Sequence, residues 1–311
     1  MRLVAVVGPT ATGKSALGLA LAERFQGEIV ACDSTAVYRG IDIGTDKVPL
    51  SEQRGVPHHL VNVAEPTDTY SAARYARDAA TTIRDITAGG RLPILVGGTG
   101  FYYRALVRGL FPGPERDDAL RTRLERVADG RGVEALHRWL VKVDAPSAAR
   151  IQPRDRKRLV RALEVYLLTG RSLTSHFEQT VSPIAGTDVL TIGVDMPRPA
   201  LRERVARRVD QQFDTGVVAE VQRLLDAGVP QQAHAFSGLV YRQVMEMLAG
   251  ARDERATREL VVQENMRYAR RQLVWFRKEA GVHWLSGPGE SQTAIEAASA
   301  MVSDFVGSRR A

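Results

Sequence analysis

A chain of 311 residues, 44% apolar and 25% charged, holds enough material for a full buried core: one large domain with an insertion, or two domains. Lysine and arginine number 43 against 36 acidic residues, a net charge of +7 that favours a polyanionic partner without naming one. The single cysteine, Cys32, excludes an internal disulfide, and no apolar run approaches the ~20 residues that span a bilayer, so a cytoplasmic protein is expected.

The chain opens with Leu3-Val4-Ala5-Val6-Val7, an apolar run of strand length, and continues into Gly8-Pro9-Thr10-Ala11-Thr12-Gly13-Lys14-Ser15. These residues satisfy G-x-x-x-x-G-K-[ST]. The strand before them and the helix predicted over Ala16 to Phe25 are the context that motif requires. In such a loop the glycines let backbone N–H groups turn toward an anion, and the helix N-terminus adds partial positive charge. Lys14 neutralises phosphate oxygens, and the Ser15 hydroxyl can ligate Mg²⁺. Which phosphorylated molecule is held stays open.

Glu28-Ile29-Val30-Ala31-Cys32 reads as a second strand ending at Asp33-Ser34-Thr35-Ala36. Strand, loop, helix and strand in this order make a parallel α/β sheet with ligands at the carboxyl ends of its strands. Asp33 therefore lands on the edge that carries the phosphate loop, where a carboxylate binds metal, takes a proton or caps a turn. Cys32 reads as a small buried apolar residue. Tyr38 to Lys47 is polar, holds two glycines and follows no period, which makes it a candidate binding loop. Ser71 caps a helix predicted to run to Ala88 and stop at Gly89-Gly90. Leu92-Pro93-Ile94-Leu95-Val96 is a third strand. After it, Gly97-Gly98-Thr99-Gly100 lets backbone or a ligand come close, and Thr99 offers a hydroxyl. Phe101-Tyr102-Tyr103 supplies core aromatics or a stacking platform.

Pro112-Gly113-Pro114 punctuates the chain, and helix then follows helix. A helical insertion is expected over 117–185, between core segments 1–116 and 186–311. Within it Arg154, Lys157, Arg158 and Arg161 are spaced i, i+3, i+4, i+7 on one face. With only Asp155 nearby to offset them, this face reads as phosphate-binding in preference to merely solvated. Val189 to Val194 is a fourth strand. A helix from Pro199 carries Arg202, Arg204, Arg207 and Arg208, and further helices are predicted over Val217 to Ala227, Leu239 to Leu248 and Asp253 to Lys278. The last interleaves Arg267, Arg270, Arg271, Arg277 and Lys278 with Tyr268, Trp275 and Phe276. That mixture suits a nucleic-acid backbone and its bases, although Trp275 and Phe276 are expected to face the core. The adjacent pair His58-His59 lacks zinc-ligand spacing.

The residues alone thus give an α/β fold: a P-loop NTPase-like parallel sheet core, a helical insertion and a helical C-terminal part. Three functions remain open: a group transferase acting on nucleic acid, a small-molecule kinase or nucleotide hydrolase, and a nucleotide-switched binding module.

Several segments together resemble the tRNA dimethylallyltransferases, also called tRNA isopentenyl transferases. They are the phosphate loop, Asp33-Ser34-Thr35-Ala36-Val37-Tyr38-Arg39-Gly40-Ile41-Asp42-Ile43-Gly44-Thr45, Val56-Pro57-His58-His59-Leu60, Tyr70-Ser71-Ala72 and Leu95 to Tyr102. Arg158-Leu159-Val160-Arg161-Ala162-Leu163-Glu164-Val165, Tyr241-Arg242-Gln243 and Arg270 to Arg277 complete the set. The phosphate loop alone is generic; the Asp33 segment with the Arg-Ala-Leu-Glu-Val segment is specific. Arg154 stands where many members carry asparagine, Val240 where a glycine usually precedes Tyr-Arg-Gln, and Thr35 where alanine is common.

The resemblance implies that Gly8 to Ser15 bind the diphosphate of dimethylallyl diphosphate, with Mg²⁺ on Ser15. The prenyl group would pass to N6 of the adenosine 3′-adjacent to the anticodon of tRNA. Asp33 matches the family's general base. Lys14 neutralises the departing diphosphate. Thr99 matches a position that contacts the flipped adenine. Asp33 to Ala36, Arg121 and the run Lys157, Arg158, Leu159, Val160 and Arg161 match tRNA-contacting positions, with the anticodon stem-loop as the partner. Arg204 and Arg208 match a segment that assists diphosphate binding. A monomer is expected. Within the family the rival is a prenyltransferase acting on free adenylate, which would need no basic insertion.

Overall fold

A computed structural model describes residues 1–308; the last three residues of the predicted C-terminal part, 309–311, lie outside the described residues. The first apolar run forms strand β1 (Arg2–Val7), in which Leu3 to Val7 have no exposed surface. Burying each of its leucine and valine side chains contributes about 1.5–3 kcal/mol, so this strand anchors the sheet. Helix α1 (Lys14–Phe25) follows the phosphate loop, then β2 (Gly27–Ala31) and the two-residue strand β3 (His58–His59). Helix α2 (Ala72–Ala88) starts where predicted, with the Ser71 hydroxyl accepting the Arg74 N–H. Strand β4 (Leu92–Gly97) and helix α3 (Gly100–Val107) complete the first part of the core.

Five helices follow: α4 (Asp118–Arg131), α5 (Val133–Val143), α6 (Ala145–Arg150), α7 (Arg156–Thr169) and α8 (Leu173–Phe177). The chain returns through β5 (Asp188–Asp195), α9 (Arg198–Thr215), α10 (Val217–Asp226), α11 (Leu239–Leu248) and α12 (Glu254–Phe276). It ends in β6 (Val282–Ser286) and α13 (Gln292–Gly307). None of these helices is long and apolar enough to cross a membrane.

All strand pairs are parallel, in the order β3-β2-β4-β1-β5-β6. The sheet carries two strands beyond the four predicted, β3 and β6. The register aligns the carboxyl ends: Val7 pairs with Gly97, and Ala31 with Val96. Gly8, Asp33 and Gly98-Thr99 therefore leave the sheet side by side. Against the strands, Leu17 and Leu21 of α1 and Ala298 and Val302 of α13 pack on Val4, Val6, Ile94 and Ile192.

The chain divides into two compact units, one of Met1–Leu106 with the chain from Ile184 onward, the other Val107–Pro183. The second starts at Val107 rather than at 117, and Phe111, ahead of Pro112-Gly113-Pro114, packs on its core. That core is built by Leu124, Leu136, Leu140, Leu159 and Leu163.

Candidate active site

The phosphate loop is shaped by two residues that only glycine can be. Gly8 has φ +138°, and a Cβ there would sit 2.4 Å from the Val194 carbonyl of β5. Gly13 has φ +85°, and its Cβ would meet the Glu290 carboxylate. Thr12 is buried, its hydroxyl donating to the Pro9 carbonyl at 2.9 Å, so its side chain closes the loop from within. Thr10, Ala11, Gly13, Lys14 and Ser15 line a cavity of about 600 Å³. Gly8, Pro9 and Thr12 shape the loop without entering that wall. The Lys14 ammonium donates to the Pro9 carbonyl. Burial pulls its pKa down to about 7, Arg208 adds to the shift and Asp33 opposes it.

Two arginines from α9, four residues apart on one face, reach the same loop. Arg204 donates to the Ala11 carbonyl at 2.8 Å and pairs with Glu290 at 2.5 Å. Arg208 donates to the Thr10 hydroxyl at 2.8 Å and pairs with Asp46. Asp46 belongs to the polar loop after Tyr38, and Thr45, Asp46 and Lys47 line the cavity. That loop is held by the buried Glu220, which accepts the N–H groups of Asp42, Ile43 and Gly44 and the Tyr241 hydroxyl at 2.7–3.2 Å.

Asp33 faces Lys14 across this cavity. Its Oδ1 accepts from Thr35 N–H (2.8 Å), the Thr35 hydroxyl (2.7 Å) and Ala36 N–H (3.2 Å). One oxygen thus makes the turn, and the carboxylate is oriented by it. The Thr99 hydroxyl accepts the Ser34 N–H at 3.1 Å and pins the next residue. Tyr268 of α12 also lines the cavity, its phenol pushed up to about 12 by burial, with Asp33 adding and the Thr99 hydroxyl opposing. Beside it the Gln272 amide joins the two loops, accepting the Thr10 N–H at 2.8 Å and donating to the Gly98 carbonyl at 3.0 Å. Cys32 has no exposure and its thiol is pushed up to about 12, chiefly by burial.

An IPP transferase family model matches residues 36–279. The chain belongs to the tRNA dimethylallyltransferase family. It is 46% identical to the tRNA dimethylallyltransferase of Koribacter versatilis over 94% of this chain and 95% of that one. With that of Solibacter usitatus it shares 43% identity over 99% and 100%. Among solved structures it resembles the full-length tRNA isopentenylpyrophosphate transferase of Bacillus halodurans, at TM-score 0.71 and 36% identity over 98% of this chain and 95% of that one. A eukaryotic dimethylallyltransferase solved acting on tRNA aligns at TM-score 0.83 and 26% identity, over 100% and 81%.

The positions that the dimethylallyltransferase resemblance assigns to tRNA divide into two kinds. Ser34 and Thr35 line the cavity, with Ala36 nearly buried at its edge. In the insertion, Leu159 and Val160 are core residues with buried side chains, so the expectation that they contact tRNA is corrected for those side chains. Arg154 also leaves the predicted face, because α7 begins only at Arg156 after the Asp155 cap. It pairs with Glu134 at 2.9 Å, and Arg156 pairs with Glu125 and Asp129. Arg121 and Arg161 both converge on Glu164, which is fully buried, at 2.7–2.9 Å. Burial would raise that carboxyl, but the two guanidinium groups and the Asp117 N–H outweigh it and hold it at about 2. The exposed cations of this helix are Lys157 and Arg158, the latter 3.4 Å from Asp155.

Sequence reasoning missed Glu220, Gln272 and Glu290 as builders of the site, and had Asp46 only as part of the candidate binding loop Tyr38 to Lys47. Gln272 was visible only as one letter of the Arg270-Arg271-Gln272 segment. Glu220 and Glu290 carry no local motif at all.

Proposed function

We propose that this chain transfers a dimethylallyl group from dimethylallyl diphosphate to N6 of the adenosine 3′-adjacent to the anticodon of tRNA, releasing diphosphate. The observation that carries this reading is the pairing, across one cavity, of a phosphate loop with an oriented carboxylate, Lys14 against Asp33. The loop N–H groups, Lys14, Arg204 and Arg208 bind the diphosphate of the donor. Those two arginines are held in reserve on Glu290 and Asp46 until it arrives. The adenine amine is a weak nucleophile. As its nitrogen bonds to the allylic carbon and the C–O bond to diphosphate breaks, Asp33 takes the N6 proton, and the cationic loop takes up the charge of the leaving group. To bring N6 to a cavity of this kind the nucleotide leaves the anticodon stack.

The residues fit Mg²⁺ as a companion of the substrate. Ser15 offers a hydroxyl to the cavity, while no cluster of three His, Cys, Asp or Glu among the described residues forms a protein cage. Bound there, Mg²⁺ would add positive charge against the diphosphate oxygens. Lys157 and Arg158 are the insertion's contribution to the tRNA backbone. The working unit is a single chain, which a solution mass near 34.1 kDa would support, and it acts in the cytoplasm.

Radiolabelled dimethylallyl diphosphate with Mg²⁺, unmodified tRNA and AMP as competing acceptor tests the reading. Label is expected on tRNA. Label on AMP would make the chain a free-adenylate prenyltransferase; in a parallel incubation with ATP, hydrolysis without transfer to tRNA would return it to the kinases and nucleotide hydrolases.

A further inference from the structure

Gln272 joins two loops that approach the reacting groups from opposite sides. Its side chain is buried, and its partners fix which way the amide faces: Oε1 accepts the Thr10 N–H and Nε2 donates to the Gly98 carbonyl. A backbone N–H only donates and a backbone carbonyl only accepts. The residue here must therefore carry an acceptor and a donor on one planar head, which glutamate and methionine lack. Glycine at 98 makes the fit possible, since a Cβ there would lie 2.1 Å from Nε2. One turn earlier Tyr268 reaches the Thr99 hydroxyl, and three residues later Trp275 lies under Gly100. A single face of α12 thus follows the whole Gly98–Gly100 loop.

Each end of the amide leads on to a functional group. Thr10 carries Arg208 on its hydroxyl, at the diphosphate end. Gly98 precedes Thr99, whose hydroxyl holds Ser34 next to Asp33. We propose that Gln272 is a positioning residue that sets the distance between the phosphate loop and the Asp33 edge, so that leaving group and proton acceptor stand in register during transfer. This rests on the transferase reading above. Each substrate keeps its own binding groups without Gln272, while the reacting atoms lose their alignment. The loss therefore falls on kcat and not on either KM, and a misplacement of about 1 Å costs on the order of 10²-fold.

The test uses full-length Gln272→Met, which keeps the volume and removes both hydrogen bonds, and Gln272→Leu, which removes both with a shorter side chain; neither adds charge beside the phosphate loop. Steady-state transfer is measured with dimethylallyl diphosphate and tRNA each varied to saturation, beside thermal midpoints. The expected result is kcat reduced about 10–100-fold in both variants, with each KM within about threefold of wild type. If the methionine variant does not fold, the leucine variant, equally uncharged, carries the same kcat-against-KM comparison. A folded variant with wild-type kcat, or a loss confined to one KM, would overturn the proposal. A wild-type protein that transfers nothing to tRNA would instead overturn the functional reading on which it stands.

Discussion

Arginine–carboxylate pairs occur in both units of the molecule, and they are built for opposite ends. In the sheet unit Arg204 and Arg208 meet Glu290 and Asp46, whose side chains keep 40% and 33% of their surface in solvent beside the cavity. In the insertion Arg121 and Arg161 meet Glu164, which keeps none. A partly hydrated pair is cheap to exchange, because water and an incoming diphosphate can take over both partners. A buried carboxylate with two guanidinium groups has no such exit, since separating them strands a charge in the interior. The same residue types thus make a site in one unit and a structural joint in the other, and burial of the carboxylate decides which.

The most severe way to probe the exchangeable side is to remove the one carboxylate assigned to chemistry. Asp33→Ala is expected to lower transfer by about 10³-fold with tRNA affinity within a few-fold of wild type. Single-turnover labelling beside filter binding checks this, and weakened affinity with normal turnover would show the base lies elsewhere.

The joint is broken by Glu164→Gln, expected to destabilise the insertion by roughly 3 kcal/mol, the low end for a buried pair because both arginines can still reach water. Urea unfolding followed by circular dichroism reads it. The wild-type carboxyl is held at about 2 against an ordinary 4.5, so its stabilisation is complete above pH 4.5 and is lost as pH falls toward 2. The variant should lack that acid-sensitive part.

A gentler test uses pH on the donor side. With the Lys14 ammonium at about 7 in the free protein, an arriving anion restores its proton, so binding takes one up above neutrality. Affinity for inorganic diphosphate should fall about fivefold between pH 7 and 8, and titration calorimetry in buffers of different ionisation enthalpy should show the proton uptake. A flat profile would mean that Lys14 is already charged.

The smallest effect distinguishes the exposed cations of α7 from the tied ones. Neutralising Lys157 and Arg158 together should flatten the salt dependence of tRNA binding by about 0.7–0.9 in log–log slope for each phosphate that the variant no longer neutralises. Arg161→Ala should change stability more than slope, because its guanidinium is committed to Glu164 and the Pro114 carbonyl.

Much of the fold could be read from letters that are close together. Strand β1, the phosphate loop and α1 are one continuous signal, and Ser71 with Gly89-Gly90 brackets α2 as expected. Strand β6 gives little signal because Val282–Ser286 has five residues, mixed polarity and an edge position with no fully buried side chain. Strand β3 is two histidines, made a strand only by the neighbour that Ile29 and Val30 supply. The basic face of the insertion is narrower than its spacing suggests for a similar reason. Helical spacing says which residues share a face, but not that Asp155 ends the helix before Arg154 or that acidic residues from α4 and α5 come to meet the arginines.

What the sequence by itself determined is the local chemistry: a phosphate-binding turn, a carboxylate at the end of the next strand, and the family to which their combination belongs. These depend on residues a few positions apart, whose geometry the chain's own stereochemistry sets. Only the tertiary structure decided who holds these groups in place. Gln272 meets Thr10 across 262 positions, and Arg204 meets Ala11 across 193. A hydrogen bond between such distant residues leaves no period or spacing in the sequence, because the sheet and α12, not the intervening chain, bring its partners together.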